Sequence, residues 1–454
     1  MQIAKNAQEI VNCSTVPPGS RVYAAGNSAT PQILLQQLAR DDFIEDVELL
    51  GALFMGELEE LFSPKSCARI NHRIIFNGLQ SRAALNNGQA MYQLMHLSDI
   101  PRQLEKYIQP NIVFLTVSGP DNGGNYSLGT AVEGVPAAIK VAKELGGLVI
   151  AERNAQMPFV LGTTINSDMI DYILDVDYEL PVHPAIEFDE ASHRIGRLIA
   201  KHYVHDGSVL QYGIGEVPEA VTRAVQEKGV RDLGIHTELF STAMRKLVQS
   251  GAVNNRYNSR KFCVASLFLA EDKAGYDWLN YNSTVQSRSC DVTNSPLHIA
   301  QVENIVAINS AIGVDLHGNI WADSLNATKI YSGIGGQADF LRGAYLAPGG
   351  VPIIGMKSKT KKGLPKILEK SPEGITSTAI AADPVVIVTE HGAFDPRGLS
   401  ICEHAVGIAH LVEKERREEL LKYIYDNEKF HKPRQALHDR CPKGFYAYNE
   451  ADFT

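Results

Sequence analysis

Four short stretches of this chain are almost wholly apolar, with no alternation of polar and apolar side chains: Ile112-Val113-Phe114-Leu115-Thr116-Val117, Leu148-Val149-Ile150-Ala151, Val209-Leu210-Gln211-Tyr212 and Val385-Val386-Ile387-Val388. A strand with one wet face alternates, whereas a strand covered on both faces does not, so these runs predict a parallel sheet buried between helices. Between them lie segments with helical spacing, Val135 to Leu145 and Pro218 to Glu227, each with a proline where a first helical turn tolerates one. The alternation of buried strands and amphipathic helices predicts an α/β fold of mostly parallel sheets covered by helices.

At 454 residues the chain exceeds what one hydrophobic core ordinarily supports, so two related open α/β domains are expected. No Gly/Ser-rich or Pro-rich linker separates them, and the boundary is placed by pattern near residue 190, giving domains 1–190 and 191–454. A helical stretch from Glu190 to Tyr203 then leads through Asp206-Gly207-Ser208 into a new strand. Gly213-Ile214-Gly215 and Gly333-Ile334-Gly335 each precede a helical segment, a short internal echo that chance could also produce. Glu413 to Asn427 mixes both charge signs around Leu420, Leu421 and Ile424 and predicts a surface helix.

The net charge of −9 argues against a nucleic-acid partner, because such binding depends on neutralising many phosphates. Lys357, Lys359, Lys361 and Lys362 form the one dense basic cluster, read first as a solvated loop. Cys13, Cys67, Cys263, Cys290, Cys402 and Cys441 are scattered without metal-site spacing, so no metal is expected and a reduced compartment is. The first residues lack the apolar core of a secretory signal, and no run reaches the roughly 18 apolar residues that cross a bilayer. A cytoplasmic protein with no membrane partner is expected.

Three glycine-rich loops are candidate binding elements. Leu210 to Ala220 reads as a strand, a turn at Gly213 and Gly215, and a helix, an arrangement that offers unpaired N–H groups to an anion or a developing oxyanion. It lacks the third glycine of the dinucleotide fingerprint and the lysine of a phosphate loop. Ser332 to Gly343 carries Gly333, Gly335, Gly336 and Gly343 around Asp339 and Arg342, which at i and i+3 can pair on one turn. Val117 to Gly129 follows a buried strand and is placed to line a crevice beyond its carboxyl end, although a bare turn would read alike.

Glu238, in Gly234 to Ser241 (GIHTELFS), reads by spacing alone as an ordinary helix-start carboxylate. Taken in order, however, GIGEVPEAV, GIHTELFS, INSAIGVDLHGNI (Ile308 to Ile320), SGIGGQADFLRGA and VTEHGAFDPRGLS (Val388 to Ser400) resemble successive signatures of the acetyl-CoA hydrolase/transferase family. The segments VSGPDNGGNYSLG, Ala151 to Asn154, Gln156 to Pro158, and Leu97 to Pro101 resemble N-terminal motifs of the same family, so the similarity spans most of the chain.

The resemblance implies a two-domain CoA-transferase fold with its site at the domain junction. Catalysis falls to Glu238, CoA and oxyanion contacts to Gly213, Gly215, Gly333, Gly335 and Gly336, and supporting roles to Asn309 and Glu390. It implies an acyl-CoA and a short-chain carboxylate (butyrate, 4-hydroxybutyrate, acetate or itaconate type) as substrates, no permanently bound cofactor, and a homodimer or dimer of dimers. A carboxylate suits this chemistry because its attack on a thioester gives a mixed anhydride and a thiolate that can return to form a glutamyl thioester. The stretch Asn27 to Pro31 is expected in the acyl pocket, and His236 is expected to be a structural histidine. The sequence departs from the family at Lys366, where an arginine is common, near Ala382, and at His391. An acyl-CoA hydrolase, a CoA sensor and a nucleotide-dependent CoA ligase are the alternatives, the last disfavoured by the missing phosphate-loop lysine.

Overall fold

The computed structural model describes residues 1–430 and 442–453; Cys441 lies outside the described residues. The run at 112 forms strand Ile112–Val117, buried at every position. Ile112 and Phe114 pack with Leu34, Leu35 and Leu38 of helix Gln32–Arg40. Val113, Leu115 and Val117 pack with Val135, Ala138, Ile139 and Ala142 of helix Val135–Glu144. Both faces are therefore covered, which is why the sequence does not alternate; each such side chain contributes about 1.5–3 kcal/mol on burial.

This strand belongs to an eight-stranded sheet ordered Gln2–Ala4, Tyr172–Val176, Leu148–Asn154, Ile112–Val117, Arg21–Ala24, Val47–Ala52, Ile70–Phe76, Met91–Tyr92. Every neighbouring pair in it is parallel. A second, seven-stranded sheet runs Gly234–Ile235, Val209–Tyr212, Ile305–Asn309, Val351–Gly355, Val386–Thr389, Gly392–Phe394, Phe445–Ala447. Its first five strands are parallel and its last two pair antiparallel. The α/β fold with mostly parallel sheets is thus the observed one.

Helix Glu190–Tyr203 starts at Asp189, whose carboxylate accepts the Ser192 N–H at 3.0 Å. Helix Glu216–Lys228 begins two residues before the predicted Pro218, which falls within the first turn where no backbone N–H is needed, and ends at Gly229 with φ 71°. The predicted surface helix is Lys414–Asp426, with Leu420, Leu421 and Ile424 buried. Among the described residues no helix is long and apolar enough to cross a membrane, and none of the five described cysteines is in a disulfide.

The expected pairing of Asp339 with Arg342 does not form. Asp339 turns inward and accepts from the N–H and hydroxyl of Ser98 at 3.1 and 2.8 Å, while Arg342 lies 4.0 Å from Asp383 and over the Tyr345 ring. The basic cluster is largely neutralised locally: Lys357 bridges Asp189 and Glu216, Lys361 meets Glu216, and Lys359 meets Glu413.

Candidate active site

The two sheets point carboxyl ends at one cleft. Asn27, Leu53 and Phe76 lie at or just past the carboxyl ends of three adjacent strands of the first sheet; Gly213 and Asn309 do the same for two adjacent strands of the second. Ligands in open α/β sheets bind at such edges. The cleft has a cavity volume of about 520 Å³. Its two walls are joined by hydrogen bonds from Leu97 N–H to Gly335 O (3.1 Å), from the Ser28 hydroxyl to Phe268 O (2.7 Å) and from Glu133 N–H to the Ser266 hydroxyl (3.1 Å).

Glu238 lines this cleft, half-buried. Its backbone is pinned on both sides: Thr237 N–H donates to Val264 O, and Glu238 O accepts from the N–H groups of Ser266 and Leu267 at 3.0 and 2.9 Å. The Thr237 hydroxyl reaches Tyr212 O at 3.3 Å, tying the segment to the second sheet. The Asn294 amide donates to Glu238 Oε2 at 2.7 Å, and the Gly336 N–H also bonds the carboxyl. Burial pushes Glu238 up to about 7, with the nearby Asp339 adding to the rise, while the Asn294 and Gly336 bonds hold it down. The group is thus poised to ionise near neutrality in a largely apolar setting.

Gly336 has no room for a side chain, since a Cβ there would overlap Glu238 Oε2 and Asn294 Nδ2. Gly335, at φ 60°, sits against the Phe76 ring, and a Cβ on Gly333 would lie 2.7 Å from Ile75 O. Here glycine is required by close approach of backbone to a wall and to a carboxylate.

Of the residues singled out by sequence, Glu238, Gly213, Gly333, Gly335, Gly336, Asn309 and Asn27 line the cleft. Asn309 faces Gln211, donating to its Oε1 at 3.0 Å. Gly215 and Glu390 are not in the lining. Gly215 (φ 130°) ends the turn behind the cleft and precedes helix Glu216–Lys228. Glu390 accepts from the N–H and hydroxyl of Ser358 at 2.9 and 2.6 Å, and His391 stands 3.5 Å from it. Lys366, lowered to about 8 by burial and partly restored by the Glu390 charge, donates to Ala311 O at 2.7 Å, so this group backs the Asn309–Ala311 segment from outside; Ala382 is exposed.

The loop Val117 to Gly129 does not line the cleft either. Its Asn125–Ser127 strand pairs with Thr164–Asn166 and folds it over its own half. His236 is buried with its Nε2–H donating to Thr293 O at 2.8 Å, and burial lowers it to about 4, a neutral structural histidine. Sequence reading missed Asn294, Glu133 and Gln337. The first donates to Glu238, and the other two line the cleft beside it. Among the described residues no group of three or more His, Cys, Asp or Glu side chains is arranged to hold a metal ion.

The Glu238 carboxylate thus lies between a glycine-rich loop and an apolar wall at the meeting of two parallel sheets. Models of the acetyl-CoA hydrolase/transferase N-terminal and C-terminal domains match residues 3–186 and 272–424. A succinyl-CoA:acetate/propanoyl-CoA:succinate CoA transferase of Fasciola hepatica is 33% identical over 90% of this chain and 86% of its own length. A 4-hydroxybutyrate coenzyme A transferase of Clostridium kluyveri is 32% identical over 90% of this chain and 94% of its own. The crystal structure of RipA from Yersinia pestis superposes with a TM-score of 0.85 at 28% identity, covering 95% of this chain and 98% of that one. The chain belongs to the acetyl-CoA hydrolase/transferase family.

Proposed function

We propose that the enzyme moves coenzyme A between short-chain carboxylic acids through a thioester on Glu238. The observation that carries this reading is the Glu238 carboxylate in the inter-sheet cleft, with Asn294 and the Gly336 N–H on its oxygens. One Glu238 oxygen attacks the carbonyl carbon of an acyl-CoA thioester. The carbon–sulfur bond breaks, leaving a mixed anhydride and the CoA thiolate. The thiolate attacks the glutamyl carbonyl, the anhydride carbon–oxygen bond breaks, and the donor acid leaves as its carboxylate. An incoming carboxylate runs these steps in reverse and departs as the new thioester.

Atoms and charge balance at each stage, one carboxylate entering for one leaving. The Gly333–Gly336 loop and Gly213 present backbone N–H groups to the thioester and CoA, and the Asn309 amide stands across from them. Leu97, Leu239, Leu267, Leu269 and Phe76 keep the lining apolar, which protects the anhydride from water. Gly215 and Glu390 act from behind, through the turn and through the Asn309–Ala311 segment. The working unit is a homodimer or dimer of dimers of cytoplasmic protein with halves 1–190 and 191–454, and itaconate-type acids belong with butyrate, 4-hydroxybutyrate and acetate among the acids to be assayed.

The test is CoA transfer from butyryl-CoA to acetate, followed as acetyl-CoA formation alongside free thiol. Acetyl-CoA formation that needs acetate and disappears in Glu238→Ala is expected. Thiol release that ignores acetate would favour hydrolysis, and unchanged transfer by Glu238→Ala would remove Glu238 from the mechanism.

A further inference from the structure

Leu97 and Ser98 open the short turn Leu97–Asp99 on the first-sheet side of the junction, and both reach across it. Leu97 N–H donates to Gly335 O at 3.1 Å. Ser98 uses two donors, its N–H to Asp339 Oδ2 at 3.1 Å and its hydroxyl to Asp339 Oδ1 at 2.8 Å. Asp339 is 4% exposed, lies in the first turn of helix Gln337–Leu346, and does not line the cleft. Arg342, one turn along, points to Asp383 instead. A buried carboxylate held by neutral donors is costly to desolvate, and an apolar pair would fill the same junction without that cost. What the two bonds add is orientation, because they hold both oxygens of one side chain and so fix it against rotation.

This grip falls on either side of Gly336. Leu97 holds residue 335 and Ser98 holds residue 339, while Phe340 N–H bonds Gly336 O at 2.9 Å as the helix begins. Gly336 is the N-cap of that helix, and its N–H bonds the Glu238 carboxyl. The second donor to Glu238 leans on the same turn. Leu97 and Ile100 share a buried cluster with Cys290, which opens the four-residue helix that delivers Asn294. Asn294 N–H donates to Cys290 O at 2.9 Å, and its side-chain amide donates to Glu238 at 2.7 Å.

We infer that Ser98 and Asp339 are positioning residues: by clamping the start of helix Gln337–Leu346 to the turn Leu97–Asp99, they hold the Gly336 N–H on the Glu238 carboxyl. This role rests on Glu238 as the nucleophile and brings the first-sheet side into its preparation. Glu238, Gly336 and Asn294 all come from the second-sheet side, so docking of the first is what completes their geometry. Reacting groups are that sensitive to placement, a shift of about 1 Å being able to lower a rate about a hundredfold.

The test compares Ser98→Ala, which removes the shorter bond without changing any charge, with Ser98→Thr, which keeps the hydroxyl at a half-buried position. In Ser98→Ala, kcat for butyryl-CoA to acetate transfer should fall at least about tenfold while the dissociation constant for CoA stays within about twofold, and Ser98→Thr should restore most of the rate. Hydrogen–deuterium exchange read by mass spectrometry should be about tenfold faster in the Ser98→Ala peptide spanning 333–340 and unchanged in the core peptide spanning 112–117. Normal kcat in Ser98→Ala, or a loss that Ser98→Thr shares in full, overturns the positioning role even when Glu238→Ala is inactive. A loss of CoA affinity that matches the loss of rate overturns it too, by making Ser98 a determinant of binding. Where the parent protein shows no Glu238-dependent transfer, the transferase reading falls and exchange alone decides: faster exchange confined to 333–340 upholds the clamp, and unchanged exchange overturns it.

Discussion

Replacing Asn294 by alanine removes the 2.7 Å donor from Glu238 Oε2 and nothing else that touches the carboxyl. A hydrogen bond to a charged group contributes about 1.5–3 kcal/mol, and each pKa unit corresponds to about 1.36 kcal/mol, so the Glu238 carboxyl should rise by about 1–2 units. The sign follows from the bond's preference for the ionised form: losing it favours the proton. Starting from about 7, the ionised fraction at pH 7 falls from about half to about 1–10%. The rate at pH 7 should drop about 5–50-fold and return as pH is raised toward 9. The assay is kcat/KM for butyryl-CoA to acetate transfer across pH 5.5–10, since that parameter reports groups of the free enzyme. A loss with no displacement of the acidic limb, or a displacement to lower pH, would refute the claim that Asn294 sets the ionisation of the nucleophile.

Gly336→Ala should lower kcat by at least about 100-fold while acyl-CoA still binds, because the new Cβ overlaps Glu238 Oε2 and must displace the carboxylate; near-normal kcat would contradict the close approach. Glu152, fully buried with its oxygens accepting Leu34 N–H and the Tyr178 hydroxyl, is raised to about 7 by burial, so its contribution to stability is complete below pH 4.5 and is lost as pH rises through 7. Glu152→Gln should therefore flatten the fall in urea midpoint between pH 4.5 and 7, by a slope of up to about 1.4 kcal/mol per pH unit; parallel curves for the two proteins would contradict this. Lys357→Ala separates the carboxylates of Asp189 and Glu216 from their shared cation and should lower unfolding free energy by about 1 kcal/mol in urea titrations with kcat unchanged, an unaltered midpoint marking the pair as thermodynamically silent.

The strands were legible because burial on both faces leaves an unbroken apolar run, and Ile112–Val117 and Val209–Tyr212 fall on the predicted residues. Strand Leu148–Asn154 runs three residues further than its apolar stretch because Glu152, Arg153 and Asn154 pair with Leu174, Asp175 and Val176. Glu238 was singled out through the ordered motifs rather than through spacing, since alone it looks like any carboxylate before a helix. Its partner was not visible. Asn294 is 56 residues away and is delivered by a four-residue helix, Cys290–Thr293, in a stretch whose Asn, Ser and Pro read as an ordinary turn.

Glu133 was hidden for a related reason, because an acidic residue just before a helix is normally a solvated terminus, and only the closing of the second half over it makes it a buried acid. The local i, i+3 rule misled at Asp339, where a tertiary partner, Ser98, outcompetes Arg342 because the side chain points into the junction. Asn27 and Gly213 lie at strand carboxyl edges in the cleft lining, although neither was placed there by the carboxyl-edge rule. The one loop that rule did place, after Val117, is drawn away by its pairing with Thr164–Asn166.

The most direct measurement is peptide mass spectrometry of the enzyme mixed with butyryl-CoA and then treated with borohydride. A glutamyl thioester would be reduced at its carbonyl, so the peptide holding Thr237-Glu238-Leu239 should carry a side-chain alcohol in place of the acid, and only when acyl-CoA was present. An unmodified carboxyl at that position, in protein that is turning over, would contradict the account.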